Sequence, residues 1–174
     1  MGFLADLEMG WLNGWIYSAI LLLISGSCYL FAKRMTDFSW MSRRQFLIAG
    51  SADLVIVGLS IFTLWTPIAY PGALFWVGNL IYLLGLIVVL MSIIAFAQTP
   101  EDQPVTGGIY KLLRHPYYVG SYLSLIAIGL ICREWFILVL TLVSIVPGLW
   151  SAKWEEQHCE EAYGGNQVEY EQRR

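Results

Sequence analysis

Residues 73–97, ALFWVGNLIYLLGLIVVLMSIIAFA, form an apolar run without one charged side chain. The hydrocarbon core of a bilayer is crossed by about 20 such residues in helical form, so this run spans it with length to spare. Helix is the local solution, because in hydrocarbon every backbone N–H and C=O must be satisfied within the segment. Composition carries the same message along the whole chain: 57% of its 174 residues are apolar and 13% charged, and the mean hydropathy is +0.61. Soluble domains hold roughly 45–50% apolar and about 25% charged residues. The chain reads as an all-α integral membrane protein.

Working outward from that run, Pro71-Gly72 turns the chain tightly out of a second run, about Phe46 to Tyr70, which Arg43-Arg44 opens. Before it, a run from about Trp11 to Ala32 closes on Lys33-Arg34. On the other side, Gln98-Thr99-Pro100-Glu101-Asp102 breaks the hydropathy. A short run over 117–131 and another over 135–150 follow, parted only by Cys132-Arg133-Glu134, a spacing that predicts a helical hairpin. Pro147-Gly148 predicts a kink in the last of them. The expectation is one membrane domain over 1–174 with about five transmembrane helices, a polar loop at 98–116, and a tail helix at 151–163 stopped by Gly164-Gly165. Asp6 and Glu8 are the only early charges, so no cleaved signal peptide is expected.

Charge placement orients this arrangement. With five spans, Lys33, Arg34, Arg43, Arg44, Lys111, Arg114, Lys153, Arg173 and Arg174 share one side, and Arg133 alone falls on the other. The positive-inside rule then predicts an outside N-terminus, with the 98–116 loop and the C-terminus both cytoplasmic. The net charge is −3 and no long basic run occurs, which argues against a nucleic-acid partner. Cys28, Cys132 and Cys159 are odd in number and never in CxxC spacing, so neither a disulfide framework nor a metal site is indicated.

Chemistry concentrates in Gly107 to Gly120, GGIYKLLRHPYYVG, which holds one of the two histidines. The glycine pair allows close backbone approach, and Pro116 disfavours helix at His115. If Tyr117 opens a span, a carboxylate or phosphate can sit at that helix N-terminus with Arg114 beside it. An ordinary interfacial loop, with Arg114 at lipid headgroups and Tyr110, Tyr117 and Tyr118 in an aromatic belt, accounts for the same residues. In the tail, helical spacing sets Glu156 over Glu160, where like charges repel. A cationic or hydroxyl-bearing ligand explains such acids near an anionic membrane surface, as does a solvated helix face. His158 reads as a surface residue without a partner. Asp53 and Asn79 interrupt apolar runs, and burying a carboxylate at mid-bilayer costs at least ~2.5 kcal/mol, which makes Asp53 a candidate site residue; snorkelling to the cytoplasmic end, about two turns away, or a neighbouring helix accounts for it equally.

PVTGGIYKLLRHPYYVG, followed by EEQHCEEAYG and EYEQR, resembles the isoprenylcysteine carboxyl methyltransferase and phospholipid methyltransferase family. That family's loop, Leu-Val-x-x-Gly-x-Tyr-x-x-x-Arg-His-Pro-x-Tyr-x-Gly, falls on Pro104, Val105, Gly108, Tyr110, Arg114, His115, Pro116, Tyr118 and Gly120, departing only at the first position. Its tail, Glu-Glu-x-x-Leu-x-x-x-Phe-Gly, falls on Glu155, Glu156, Cys159, Tyr163 and Gly164, with cysteine for leucine. Gln167 stands where a tyrosine is usual, while Tyr170 and Arg173 fit the positions after it.

The resemblance implies an enzyme that binds S-adenosyl-L-methionine at the cytoplasmic face and methylates a lipophilic acceptor from the bilayer, either a prenylcysteine-like carboxylate or a lipid amine. It implies donor-binding roles for Val105, Gly108, Tyr110, Arg114, His115, Pro116, Tyr118, Glu155 and Glu156. Arg114 and Arg173 would hold an anionic acceptor or the donor's carboxylate. No metal is implied. NADPH-dependent membrane sterol and enone reductases look similar through Arg-His-Pro, but their pattern has Asn and Glu where this chain has Tyr117 and Ser121. A non-enzymatic membrane protein that retains the scaffold is the remaining alternative.

Overall fold

In a computed structural model of the protein, the described residues are 7–70, 72–100 and 103–163. Helix α1 (Trp15–Gly26) leads into the short α2 (Cys28–Phe31) and a 3-10 turn over Lys33–Thr36. Helices α3 (Arg43–Phe62) and α4 (Ala73–Gln98) follow, then a 3-10 turn at Gly108–Lys111, α5 (Pro116–Cys132) and α6 (Trp135–Tyr163). No strand occurs among the described residues, so the chain is all-helical as its composition predicts. Helices α3, α4 and α6 are long and apolar enough to cross a membrane, and Trp15–Phe31 and Pro116–Cys132 are shorter apolar segments.

Packing is tightest between α4 and α5, and glycine makes it so. A Cβ on Gly85 would stand 2.8 Å from the Gly120 carbonyl oxygen, and one on Gly120 would stand 2.7 Å from the Gly85 carbonyl oxygen and 2.8 Å from the Val89 nitrogen. Gly78 repeats the pattern two turns earlier, against Ile131 and Ala127. Gly78, Gly85 and Ser92 recur at heptad spacing, so one small-residue stripe of α4 meets α5 along its length. Lipid is as apolar as a leucine side chain, so close backbone approach takes over the part that hydrophobic exclusion plays in water. The leucines and isoleucines that α3 turns outward, Leu47, Leu54 and Ile61, are exposed as a membrane-facing stripe would be.

Helix ends follow local chemistry. Ser42 and Gln45 form a capping box at the start of α3, Pro116 takes the first position of α5, and Arg133 ends α5 in a left-handed conformation at φ 52°. Arg133 and Glu134 turn the chain back within two residues, with the Glu134 N–H donating to the Gly129 carbonyl at 2.9 Å, and the expected hairpin of α5 and α6 results. The second apolar run behaves differently from its hydropathy. Its helix stops at Phe62 rather than near Tyr70, because residues 63–68 pair with the chain ahead of α1: the N–H groups of Gly14 and Trp15 donate to the Thr66 and Thr63 carbonyls at 2.9 and 3.1 Å. Asn13 seals this end by donating to the carbonyls of Glu8 (2.6 Å) and Leu64 (2.8 Å). Pro147 leaves α6 continuous, and the Tyr122 hydroxyl, passing over Gly148, donates to the nearby Ser144 carbonyl at 2.8 Å.

Gly120→Val forces α4 and α5 apart at their closest point. Overpacking of this kind costs about 1–3 kcal/mol. The variant should melt lower than the native protein in detergent by circular dichroism, whereas Gly107→Ala, where a Cβ meets open space, should not.

Candidate functional site

The end of α2, the start of α3, the end of α4, the start of α5 and the last turns of α6 come together at one end of the bundle. Arg34 donates from Nη1 to the carbonyls of Pro100 at 2.9 Å and Gln103 at 3.0 Å, and its guanidinium lies 5.3 Å from the Phe96 ring centroid. Phe96 meets Tyr110 edge-on, with centroids 5.6 Å apart, and the Tyr110 hydroxyl is 2.8 Å from Ser92 Oγ. The loop between α4 and α5 is therefore held by α4 on one side and by the N-terminal segment on the other. Within it Gly108 sits at φ 55°, where a side chain is strained, whereas Gly107 has an ordinary φ of −87°. Val105 is half-buried in the same loop.

His115 precedes Pro116 with φ −129° and ψ 66°, outside the helical region as the proline ring requires. Its side chain does not cap α5. Nε2 lies instead 2.7 Å from Glu156 Oε1, and Arg114 Nε lies 3.0 Å from the same oxygen. Side-chain exposures of 24% for Glu156 and 54% for Arg114 place the pair at the edge of the site. Exposed ion pairs contribute at most about 1 kcal/mol, so this one matters more for orientation than for stability. Next to it on α6, Glu155 accepts a short hydrogen bond from the Tyr118 hydroxyl, which also lies 3.1 Å from Ser151 Oγ. Ser151 and Glu155 share a helix face by their spacing of four, while Glu156 is turned by about 100° toward the loop. Burial pushes the Glu155 carboxyl above the usual carboxylate range, against the opposing effects of the Tyr118 and Ser151 hydrogen bonds and of His115.

The structure thus gathers Arg114, His115 and Tyr118 with Glu155 and Glu156, and it stations Tyr110 on Ser92 beneath the loop. Glu156 points inward to its partners instead of stacking over Glu160, which is exposed together with Glu161. His158 is not the unpartnered surface residue its sequence suggested: its ring stacks on Trp40, with centroids 4.4 Å apart and planes 3° from parallel. That contact straps the loop ahead of α3 to the tail of α6. Asn79 accepts from the Tyr17 hydroxyl at 2.9 Å and donates to the Phe75 carbonyl at 2.8 Å, a satisfied bridge between α1 and α4. Gly164, Gln167, Tyr170 and Arg173 lie outside the described residues. Among the described residues no group of three His, Cys, Asp or Glu side chains is placed to hold a metal ion.

Arg34, Trp40, Ser92 and Ser151 were not legible as site residues. Arg34 entered the sequence reading only as a charge that sets topology, and Ser92 only as part of an apolar run. Spacing did offer one signal, since Ser151 falls one helical turn before Glu155.

A family model described as phospholipid methyltransferase matches residues 73–166, more than half of the chain and the whole of this site's described α4–α6 portion. The chain belongs to the phospholipid methyltransferase family. Membership makes it a membrane methyltransferase, in keeping with its apolar helices and with the resemblance carried by the loop and tail motifs. No curated protein and no solved structure matches it. Arg34 and Trp40 lie outside the matched residues, so a portion of the site's support comes from this chain's own N-terminal segment.

Arg34→Ala removes both hydrogen bonds to the α4–α5 loop. Charge-assisted bonds contribute about 1.5–3 kcal/mol, so amide exchange at residues 103–112 should accelerate by about tenfold or more, with α5 and α6 unchanged. Hydrogen exchange read by mass spectrometry checks this.

Proposed function

We propose that this membrane methyltransferase takes its methyl group from S-adenosyl-L-methionine, bound between the 104–118 loop and Glu155-Glu156, and transfers it to a lipophilic acceptor that reaches the site from the bilayer. The observation that carries the reading is the convergence of Arg114 and His115 on Glu156, 3.0 and 2.7 Å respectively from one carboxylate oxygen, beside the Tyr118–Glu155 bond. The donor has an ammonium and two ribose hydroxyls that suit carboxylate acceptors, and a carboxylate that suits a guanidinium. Glu155 and Glu156 supply the former and Arg114 the latter, at a helix start whose first turn has no side-chain cap. These residues fit the group.

When bound, the donor supplies a methyl carbon already activated by sulfonium charge. The protein therefore needs neither nucleophile nor metal for this transfer, only alignment and exclusion of water. His115 orients the donor through Glu156, Tyr118 holds Glu155 toward the interior, and Tyr110 on Ser92 sets the height of the loop. Arg173, outside the described residues, is assigned with Arg114 to anionic groups of donor or acceptor. The basic end of the bundle faces the cytoplasm in this reading, and the N-terminus lies outside.

Two measurements test it. Glu156→Ala should weaken calorimetric binding of S-adenosylhomocysteine by about tenfold or more, the loss of one charge-assisted contact, while leaving the melting temperature near native. Undiminished binding would sink the assignment, and binding of NADPH in place of S-adenosylhomocysteine would move the protein to the reductases. The second is pH dependence. Burial raises the Glu155 carboxyl, so it takes up its proton at a higher pH than an ordinary glutamate and its attraction for the donor's ammonium fades early on acidification. Affinity for S-adenosyl-L-methionine should therefore fall on lowering the pH while ordinary carboxylates are still ionised, and Glu155→Gln should flatten that fall.

A further inference from the structure

Past Ser151 and Ala152, helix α6 leaves the packed core, and Lys153, Gln157, Glu160 and Glu161 are exposed along one side of it. The other side carries a row. Ser151, Glu155 and His158, spaced by four and three, share one face, with His158 about 4.5 Å beyond Glu155 along the axis. Side chains hold this tail from two directions. Tyr118 bonds to Glu155, while His115 and Arg114 meet Glu156, and all three belong to the start of α5 or the residues just before it. From the opposite direction, the turn ahead of α3 lays the Trp40 indole flat against the His158 ring.

The turn that presents Trp40 is closed on itself. The indole Nε1–H donates to the Asp37 carbonyl at 2.9 Å, the Ser39 N–H donates to the Asp37 carboxylate at 3.0 Å, and the Met41 N–H donates to the Phe38 carbonyl at 3.0 Å. Ser42 and Gln45 then open α3 with their capping box. Hydrogen bonds on both sides of Trp40 thus fix its ring, and with it the plane on which His158 rests, 3° from parallel with centroids 4.4 Å apart. The indole is a platform held by the N-terminal half of the chain, not a side chain free to follow the tail.

Donor binding is what makes such a platform necessary. The donor's ammonium and hydroxyls bond to Glu155 and Glu156, and those carboxylates then share or give up their bonds to Tyr118, His115 and Arg114. The ties that run from α5 to the tail are weakened by the ligand they serve. The Trp40–His158 stack uses neither carboxylate, so the exchange leaves it intact. We propose that Trp40 is a positioning residue for the donor: through His158 it holds the last turns of α6 in place while Glu155 and Glu156 trade protein partners for the ligand. The inference rests on the S-adenosyl-L-methionine reading of the site and adds to it a residue outside the segment that the family model matches. In this role Trp40 touches neither donor nor acceptor.

The test is calorimetric titration of S-adenosylhomocysteine into the full-length protein in detergent, with melting followed by circular dichroism on the same samples. Trp40→Ala should bind about three- to tenfold more weakly than the native protein, the range set by the loss of one aromatic pair. His158→Ala removes the stack from the other side and should lose as much, and the double variant should lose no more than either alone. His158→Phe, which keeps a flat ring on the indole, should restore most of the affinity. If Trp40→Ala does not fold, the two His158 variants carry the comparison. Alanine variants that melt lower but bind as tightly as the native protein show a contact that only packs the fold, and they overturn the proposal. Additive losses in the double variant, or no rescue by phenylalanine, overturn it as well. Failure of the native protein to bind S-adenosylhomocysteine overturns the donor reading and this proposal together, whereas native binding that the alanine variants match overturns the proposal alone.

Discussion

The contact between Gly85 and Gly120 determines where everything else can be. With no side chain on either, α4 and α5 approach until the carbonyl oxygen of one glycine occupies the space that the other's Cβ would need. A bilayer offers no hydrophobic force to hold two helices together, so the many short dispersion contacts made at such a crossing, and the hydrogen bonds around it, supply the cohesion. Gly120 also closes the polar motif. Locking it against α4 sets the depth of Pro116 and His115 about one turn away, and it brings Ser92, less than one turn beyond Val89, under Tyr110. The height of the site is decided in the core of the bundle.

The second organising feature is a pair of neighbouring carboxylates on α6 that do different things. Their side chains diverge by about 100°, so Glu155 turns into the bundle toward Tyr118 and Ser151 while Glu156 reaches the mouth of the site, toward His115 and Arg114. Burial keeps Glu155 easily protonated, and the partly open Glu156 keeps two cationic or hydrogen-bonding neighbours in register. Neither arrangement would survive if the tail of α6 were free to swing. The stack of His158 on Trp40 ties it to the chain ahead of α3, and Arg34 ties the opposite loop to the same N-terminal segment. Loop and tail are thus braced from one source.

Hydropathy foretold five helical segments and the hairpin of α5 and α6, because an apolar run in hydrocarbon must satisfy its backbone N–H and C=O groups within itself, which helix does. It overran at residues 63–70, since an apolar composition does not reveal that Thr63, Thr66 and Asn13 would draw that stretch into a closing contact with the N-terminal segment. The motif residues were legible as a group, and Gly108 and Pro116 were legible individually, because a positive φ and an X-Pro junction are properties of the local chain. Gly120 was legible as part of a pattern, but its reason was not.

What the sequence determined by itself is the solvent, the secondary structure and the chemical vocabulary of the site: apolar length selects a membrane helix, and a glycine, a histidine before proline and paired glutamates announce their own local preferences. What only the tertiary structure decided is which of these groups meet. Glu156 lies 41 residues from His115, Arg34 lies 66 from Pro100, and Trp40 and His158 are separated by most of the chain. Such pairings depend on how α4 and α5 lock and on where α6 then lies. That is fixed by shape complementarity between helices, which no local pattern of residues records.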